Sequence, residues 1–438
     1  MNQEIEKNKA KDWYISNFQL MERGLNGGAS SALHKFRKEA IEKFETLEFP
    51  TSKTEEWRFT NIAPLLKYNF KPSMLIDKTK LSRKEIEQFL IPGLDAYTIV
   101  FVDGFFSKEL SNLPSQKGVK AATLKEIEPE YITNNLGKTA QVESVFDALN
   151  ASLLSDGLFV EIADNVILEK PIYMLFISGA KENYILSQTR NVIIAGNNSQ
   201  AKIIEGYFSL NDNKNFTNTV SEVLLKDNAI VDYYRVQQES GEAYHISKVK
   251  VNQLDSSVFN LKTFTFGNAL VRNEVYAGLN GQGAEAHLYG AYIADKERLV
   301  DNFTVVDHLK PHCTSNQLYK GILDGKSRVV FSGRIRVEKD AQKTNAYQSN
   351  KNLALSNEAL VDSKPQLEIF ADDVKCTHGA TIGQLEDEAM FYLQSRGISE
   401  ATARMILIQA FTAEILDSVE IESLREYLNL AMTNKLKK

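Results

Sequence analysis

The sequence predicts a mainly β protein carried between two helical ends. Three observations point there. From about residue 156 the chain becomes a succession of short runs rich in β-branched and aromatic residues, among them "GLFVEI", "PIYMLFI", "NVIIAG", "AIVDYYRVQ" and "VFNLKTFTF". Asn, Asp, Gly and Ser separate the runs, which is the composition of strands and turns. No proline stands between Pro171 and Pro311; proline cannot donate to a ladder, so its absence suits a long stretch of paired strands. A loose repeat of strand, polar turn and strand opens at Val192, Val223, Val251 and Val275, and again at Leu353. Stacked units of roughly 25–30 residues fit a β-solenoid, in which no coil buries its own face. A sandwich of antiparallel hairpins would carry the same pattern.

The flanking elements follow in order. In "SSALHKFRKEAIEKFETLEF", Leu33, Phe36, Ala40, Ile41 and Phe44 fall three and four apart, one apolar stripe on a helix. "AYTIVFVDG" reads as a short strand at 96–104, and mixed structure continues to about residue 155. After "GATIG" the chain turns helical again: Ser399 can cap a helix carrying Met405, Ile408, Phe411, Ile415 and Leu416, and "IESLREYLNLAM" makes a further helix. The expected division is a helical and mixed domain over 1–155, a β core over 156–386 and a helical domain over 387–438.

Composition narrows the function classes. The 438 residues carry a net charge of −6, and only the terminal "NKLKK" is basic, so no nucleic-acid partner is expected. The first residues, "MNQEIEKNKAKDWY", are charged and lack the apolar stretch of a secretory signal. Runs such as "IVFV" and "MILI" fall far short of the ~18–20 apolar residues of a membrane helix. A cytoplasmic protein without membrane contact is expected. The two cysteines, Cys313 and Cys376, are too few for a four-cysteine zinc or iron–sulfur site. A chain of this kind that handles a metal or cluster supplies a minority of the ligands.

Two short motifs imitate nucleotide sites. "GILDGKSR", residues 321–328, has three residues between Gly321 and Gly325 where a phosphate loop needs four, and "RVVFSGRIRV" after it alternates like a strand. "GQGAEA", residues 281–286, runs into the strand-like "HLYGAYI" instead of a helix. Both are expected to be turns. "HLKPHC" brings His308, His312 and Cys313 close together, but Pro311 breaks any helix that would align the histidines. His312 and Cys313 are the weaker ligand candidates.

"VKCTHG", residues 374–379, is the stronger candidate. Residues two apart on a strand share a face, so Cys376 and His378 project together. A metal-ligand pair, a thiol with its base, and two structural neighbours all fit that geometry. The preceding Asp372 and Asp373, which a carbohydrate-active β-helix enzyme could offer as its acid pair, would point to opposite faces of a strand.

Longer stretches carry a resemblance. "KPQLEIFADDVKCTHGATIGQLEDEAMFYLQSRGIS", residues 364–399, resembles the C-terminal signature of the SufB/SufD family, scaffold proteins of SUF iron–sulfur cluster assembly. The run from "HLKPHCTSNQ" to "ALVDSK" looks like the same family core. "TSKTEEWRFTNI", through Lys53, Glu55, Trp57, Phe59 and Thr60, is similar to the family's N-terminal element. The small cysteine count and "CTHGAT" are closer to the SufD branch. The resemblance implies a right-handed parallel β-helix between helical terminal domains and a non-catalytic scaffold role. It implies pairing with a SufB homologue through the β-helix, and docking of the SufC ATPase on the C-terminal helices, with Met405, Ile408 and Phe411 as candidate contacts. His378, with Cys376 beside it, would help hold a nascent cluster opposite a SufB cysteine, imidazole being a legitimate iron ligand. The isolated chain would hold no stable cluster and would be able to homodimerise. Reduced flavin, which the family complex has been linked to, has no motif here. The other readings are a stand-alone carbohydrate-active enzyme and a purely structural homodimer.

Overall fold

A computed structural model of the protein describes residues 2–25 and 30–437. Among the described residues the strands make two ten-stranded sheets, and the chain alternates between them. Each passes from one sheet to the other through a tight turn and returns one layer on, so two strands make one coil of a β-solenoid. Within the repeating core every neighbour is parallel and in register, as in Tyr244↔Leu270 and Leu270↔Leu299 of the first sheet. The antiparallel-hairpin reading is thereby excluded.

The repeat has a physical period. In the first sheet, residues in one column, Phe216, Tyr244, Leu270, Leu299 and Arg328, recur every 26 to 29 residues. The units opening at Val192, Val223, Val251 and Val275 all span the turn from the first sheet to the second. The unit at Leu353 spans the opposite turn, from Asn345–Ala354 in the second sheet to Leu360–Ile369 in the first. Its sequence form is the same because both turns ask for the same polar residues. Each turn from the first sheet to the second, up to the one before Asn345–Ala354, has one position at positive φ: Asn165, Asn198, Asn228, Ser256, Gly283, His312 and Lys343. Each donates its backbone N–H to a carbonyl of the next coil's turn, as in Asn228 to Asp255 (2.8 Å) and His312 to Gln342 (2.9 Å). Asn tolerates that left-handed conformation best among the non-glycine residues, which is why "NN" and "DN" recur there.

The two ends of the solenoid differ. At the N-terminal end, Phe105–Phe106 and Val119–Thr123 pair antiparallel with their neighbours and stop the parallel stacking. The outer face of the first sheet is covered by the N-terminal helices, which are pinned by buried cations. Arg190 donates to Glu222 (2.8 Å), whose carboxylate accepts the backbone N–H groups of Gly137, Thr139 and Ala140. Lys248 pairs with Asp147 (2.6 Å). Arg272 is bonded to Glu274 and Asp301, and its guanidinium lies 3.9 Å from the centroid of Trp57. Trp57 and Thr60, which donates to Asp301, thus place the "TSKTEEWRFTNI" segment on the sheet. The outer face of the second sheet shares one apolar cluster with the C-terminal helices Glu400–Asp417 and Glu422–Leu436. Ser399 caps the former, accepting from Thr402 N–H. No helix among the described residues is long and apolar enough to cross a membrane.

Trp57→Ala removes a buried indole and strips its cover from a buried guanidinium. Unfolding in denaturant is expected to show a loss of about 3–5 kcal/mol; an unchanged midpoint would mean the segment is not a structural clip.

Candidate functional site

The C-terminal end of the solenoid is open. Leu360–Ile369 and Lys375–Gly383 are the outermost strands of their sheets, each paired on one side only. A free strand edge offers unpaired N–H and C=O groups to another chain, and natural proteins usually blunt it. Here the end also exposes apolar side chains: Leu360 is 58% exposed, Phe370 56% and Ile382 60%. Just beyond, helix Asp387–Ser395 buries none of its residues and leaves Phe391 72% exposed. Apolar groups this exposed along an unpaired edge mark an interaction surface. Pro365 sits inside Leu360–Ile369, a position tolerated because the strand is an edge.

Cys376 and His378 lie on Lys375–Gly383, in the outermost coil. Their register partners are Ala346 and Gln348, both buried. Cys376 is half-buried and packs with Ile335, Val337 and Ala346. His378 shares its face, the one turned toward the solenoid interior, but is exposed because no further coil covers it. Burial pushes the Cys376 thiol above its ordinary value, so little thiolate forms at neutral pH and the thiol–base pair loses its nucleophile. No hydrogen bond joins the two side chains among the described residues. Nor does any group of three or more His, Cys, Asp or Glu side chains there lie close enough to hold a metal ion.

The weaker candidates have structural roles. His312 is the positive-φ residue of its turn. Cys313 is buried in the interior, where its thiol donates to the Gly281 carbonyl (3.2 Å). His308 faces the same interior, its Nε2 2.8 Å from the Ser315 hydroxyl, and desolvation lowers its pKa to about 4. Gly325 and Gly283, from the two nucleotide-like motifs, are positive-φ turn residues ahead of strands Arg328–Val337 and Glu285–Ala294. Asp372 and Asp373 lie in the turn before the last strand, not in the strand, and Asp373 pairs with Lys343 of the adjacent coil.

Of the three helix positions, Ile408 is buried against the second sheet. Met405 and Phe411 are half-buried; Met405 borders an open groove of about 870 Å³ with Thr402, Ile293 and Ile322, and Lys320 donates to the Phe411 carbonyl (2.9 Å). Sequence reasoning missed the exposed pair Phe391 and Tyr392, whose adjacency inside an amphipathic stretch was the available signal. It also missed Gln348. Counting one coil back from His378 reaches it, and a second coil back reaches Gln317, through consecutive register partners.

The His308 environment yields a pH dependence. Its folded pKa lies below the unfolded value, so between about 6.5 and 4 the unfolded chain binds the extra proton and stability falls as pH falls. His308→Gln is expected to remove a loss on the order of 3 kcal/mol across that window in pH-dependent unfolding; an identical pH profile would remove His308 as its source.

The chain was compared with known proteins. A model described as the SUF system FeS cluster assembly, SufBD core domain, matches residues 176–411, and one for the SufBD protein N-terminal region matches residues 8–174. An iron-sulfur cluster assembly SufBD family protein of Synechocystis sp. is 35% identical over 413 residues, 92% of this chain and 90% of that protein. The iron-sulfur cluster assembly protein SufD of Escherichia coli is 30% identical over 379 residues, 86% of this chain and 87% of its own length. That of Bacillus subtilis is 26% identical over 420 residues, 92% and 94% of the two chains. Two family models that together span the solenoid and its N-terminal cover, with relatives matched along most of both lengths, leave one conclusion: the chain belongs to the SufBD family of the SUF iron–sulfur cluster assembly system.

Proposed function

We propose that this chain is the SufD-like scaffold subunit of a complex with a SufB homologue and the ATPase SufC, and that it performs no catalysis itself. The observation that carries the reading is the coincidence of two features at one end of the solenoid. The free edges Leu360–Ile369 and Lys375–Gly383, with their exposed apolar side chains, are built to accept another β chain. His378 and Cys376 sit on one of those edges. A second β-solenoid docked there would bring its own ligands opposite His378, and a cluster would be shared across the interface. Two cysteines are too few for a conventional cluster on the lone chain. The edge that pairs with SufB would, without it, pair with a second copy of this chain.

The ATPase would dock on the outward side of the C-terminal helices. Ile408, Ile415 and Leu416 are committed to the solenoid, so removing the whole region would strip the second sheet of its cover. Point changes at the exposed Phe391 and Tyr392 test docking without that damage, and the half-buried Met405 and Phe411 are the further candidate contacts.

The test is co-expression with SufB and SufC homologues from the same source, followed by size-exclusion chromatography with mass determination. A complex of all three is expected; a chain that ignores both partners overturns the reading. Within the complex, His378→Ala is expected to leave assembly intact and lower cluster maturation about tenfold or more, and wild-type maturation would take His378 out of the site. Phe391→Asp with Tyr392→Asp is expected to weaken SufC binding about tenfold or more while the thermal midpoint of the lone chain holds. Undiminished binding would move the ATPase to another surface.

A further inference from the structure

The interior of the solenoid is apolar along one side and polar along another. The polar seam is hydrogen-bonded through most of its length: Arg235 with Glu205 and Ser247, Gln237 with Asn273 and Thr265, Thr304 with Gln317. Beside it, in the column Leu288, Gln317, Gln348, the last buried layer holds Gln348. This side chain is fully enclosed, yet neither its Oε1 nor its Nε2 has a hydrogen-bond partner. A buried amide left unpaired on both atoms is costly, and such groups in native proteins have a reason. The amide crosses the interior to Gly333 of the facing sheet, where a Cβ would lie 2.3 Å from Nε2. A side chain at 333 would displace it. The next layer outward, in the same column and on the same face, holds His378.

We propose that Gln348 is a positioning residue for His378. Its carboxamide oxygen accepts one ring N–H and leaves the lone pair of the other nitrogen facing the open end. The inference rests on the reading of His378 as a cluster ligand. A ligating imidazole needs one bare nitrogen, so its other nitrogen carries the proton and must donate it. In the layer adjoining His378, Gln348 Oε1 is an enclosed acceptor without a donor; the unpaired Gln317 Nε2 lies one layer further in, on the side away from His378. Docking of the partner solenoid would bury both groups and turn a solvent-exposed imidazole into one of fixed tautomer.

The first readout is the ring ¹⁵N spectrum of His378 in the full chain, free and in complex with the SufB homologue, at pH 8. In the complex, one protonated-type and one bare-type nitrogen signal are expected. Gln348→Glu keeps the acceptor and is expected to keep the pattern. Gln348→Met, close in volume and without an acceptor, is expected to give averaged ring signals and maturation lowered about 10- to 100-fold, with complex formation retained. Averaged signals in the wild-type complex, or a Met variant with the wild-type ring pattern, overturn the proposal. The functional reading fails separately: a ring fixed by Gln348 in a complex whose His378→Ala variant matures clusters normally leaves the hydrogen bond and removes the ligand. Should Gln348→Met not fold, Gly333→Ala, which crowds the amide from the facing strand, is expected to disturb the same ring signals, and an unchanged pattern there overturns the proposal.

Discussion

The constraint on which everything else rests is the in-register parallel ladder. Because every residue of a coil sits above its counterpart in the previous one, each inward position becomes a column whose members can bond or pack only with the layers above and below and with the facing sheet. One such column runs Tyr233, Leu261 and Leu288 through the apolar core and turns polar at Gln317 and Gln348 toward the C-terminal end. A column has a neighbouring layer on both sides everywhere except at its ends. The ends therefore have to be solved separately, and the protein solves them differently. At the N-terminal end, short antiparallel strands change the direction of pairing and use up the free edge. At the C-terminal end nothing does, so unpaired backbone, exposed leucine, isoleucine and phenylalanine, and an unpartnered amide are found together.

The buried cations follow from the same geometry. Lys248 and Glu274 are consecutive members of one outward column, and Arg190 lies on it two coils earlier. Isolated buried charges are expensive, and buried pairs are weak evidence of net stability. What they do here is fix register between non-repeating helices and a repeating sheet. An apolar helix face could slide by a coil against such a sheet at little cost; a carboxylate matched to one arginine could not. Glu55, which reaches Lys364 on an edge strand (2.7 Å), extends this arrangement to the open end.

Much of the fold was legible because repetition amplifies weak signals. One "strand, Asn-rich turn, strand" unit means little, whereas several at a near-constant spacing mean a stack. The same repetition hid other things. His312 looked like a ligand in isolation; its turn position is filled by Asn, Ser, Gly or Lys in the other coils, and only alignment of the coils shows that it does their job. Arg190, Arg235 and Arg272 are all buried, although a charge inside an alternating pattern ordinarily marks an outward, exposed position. Parallel and antiparallel pairing leave the same composition, so the sequence pattern left both open until the register was known. Strand alternation puts Cys376 and His378 on one face, and the family resemblance singles out His378. Gln348 could not be found that way, because its relation to His378 is vertical, across coils, and needs a register that a single sequence does not print.

The open end also sets the thermodynamics of the proposed role. A ligand set completed only when two solenoids meet ties cluster residence to docking by one coupling free energy, and the linkage is reciprocal. A bound cluster tightens the pair by the factor by which the pair tightens the cluster. Strain that an ATPase imposes on the helices would reach the interface through a short path, since Glu400–Asp417 packs directly on the second sheet and Lys320, on strand Thr314–Leu323 two strands in from the edge, is bound to both the Phe411 carbonyl and Glu414. Any such strain that opens the edge by a given free energy must weaken cluster binding by the same amount. A scaffold that keeps its ligands on a free edge needs no gate to release its product; separating the edge is the release.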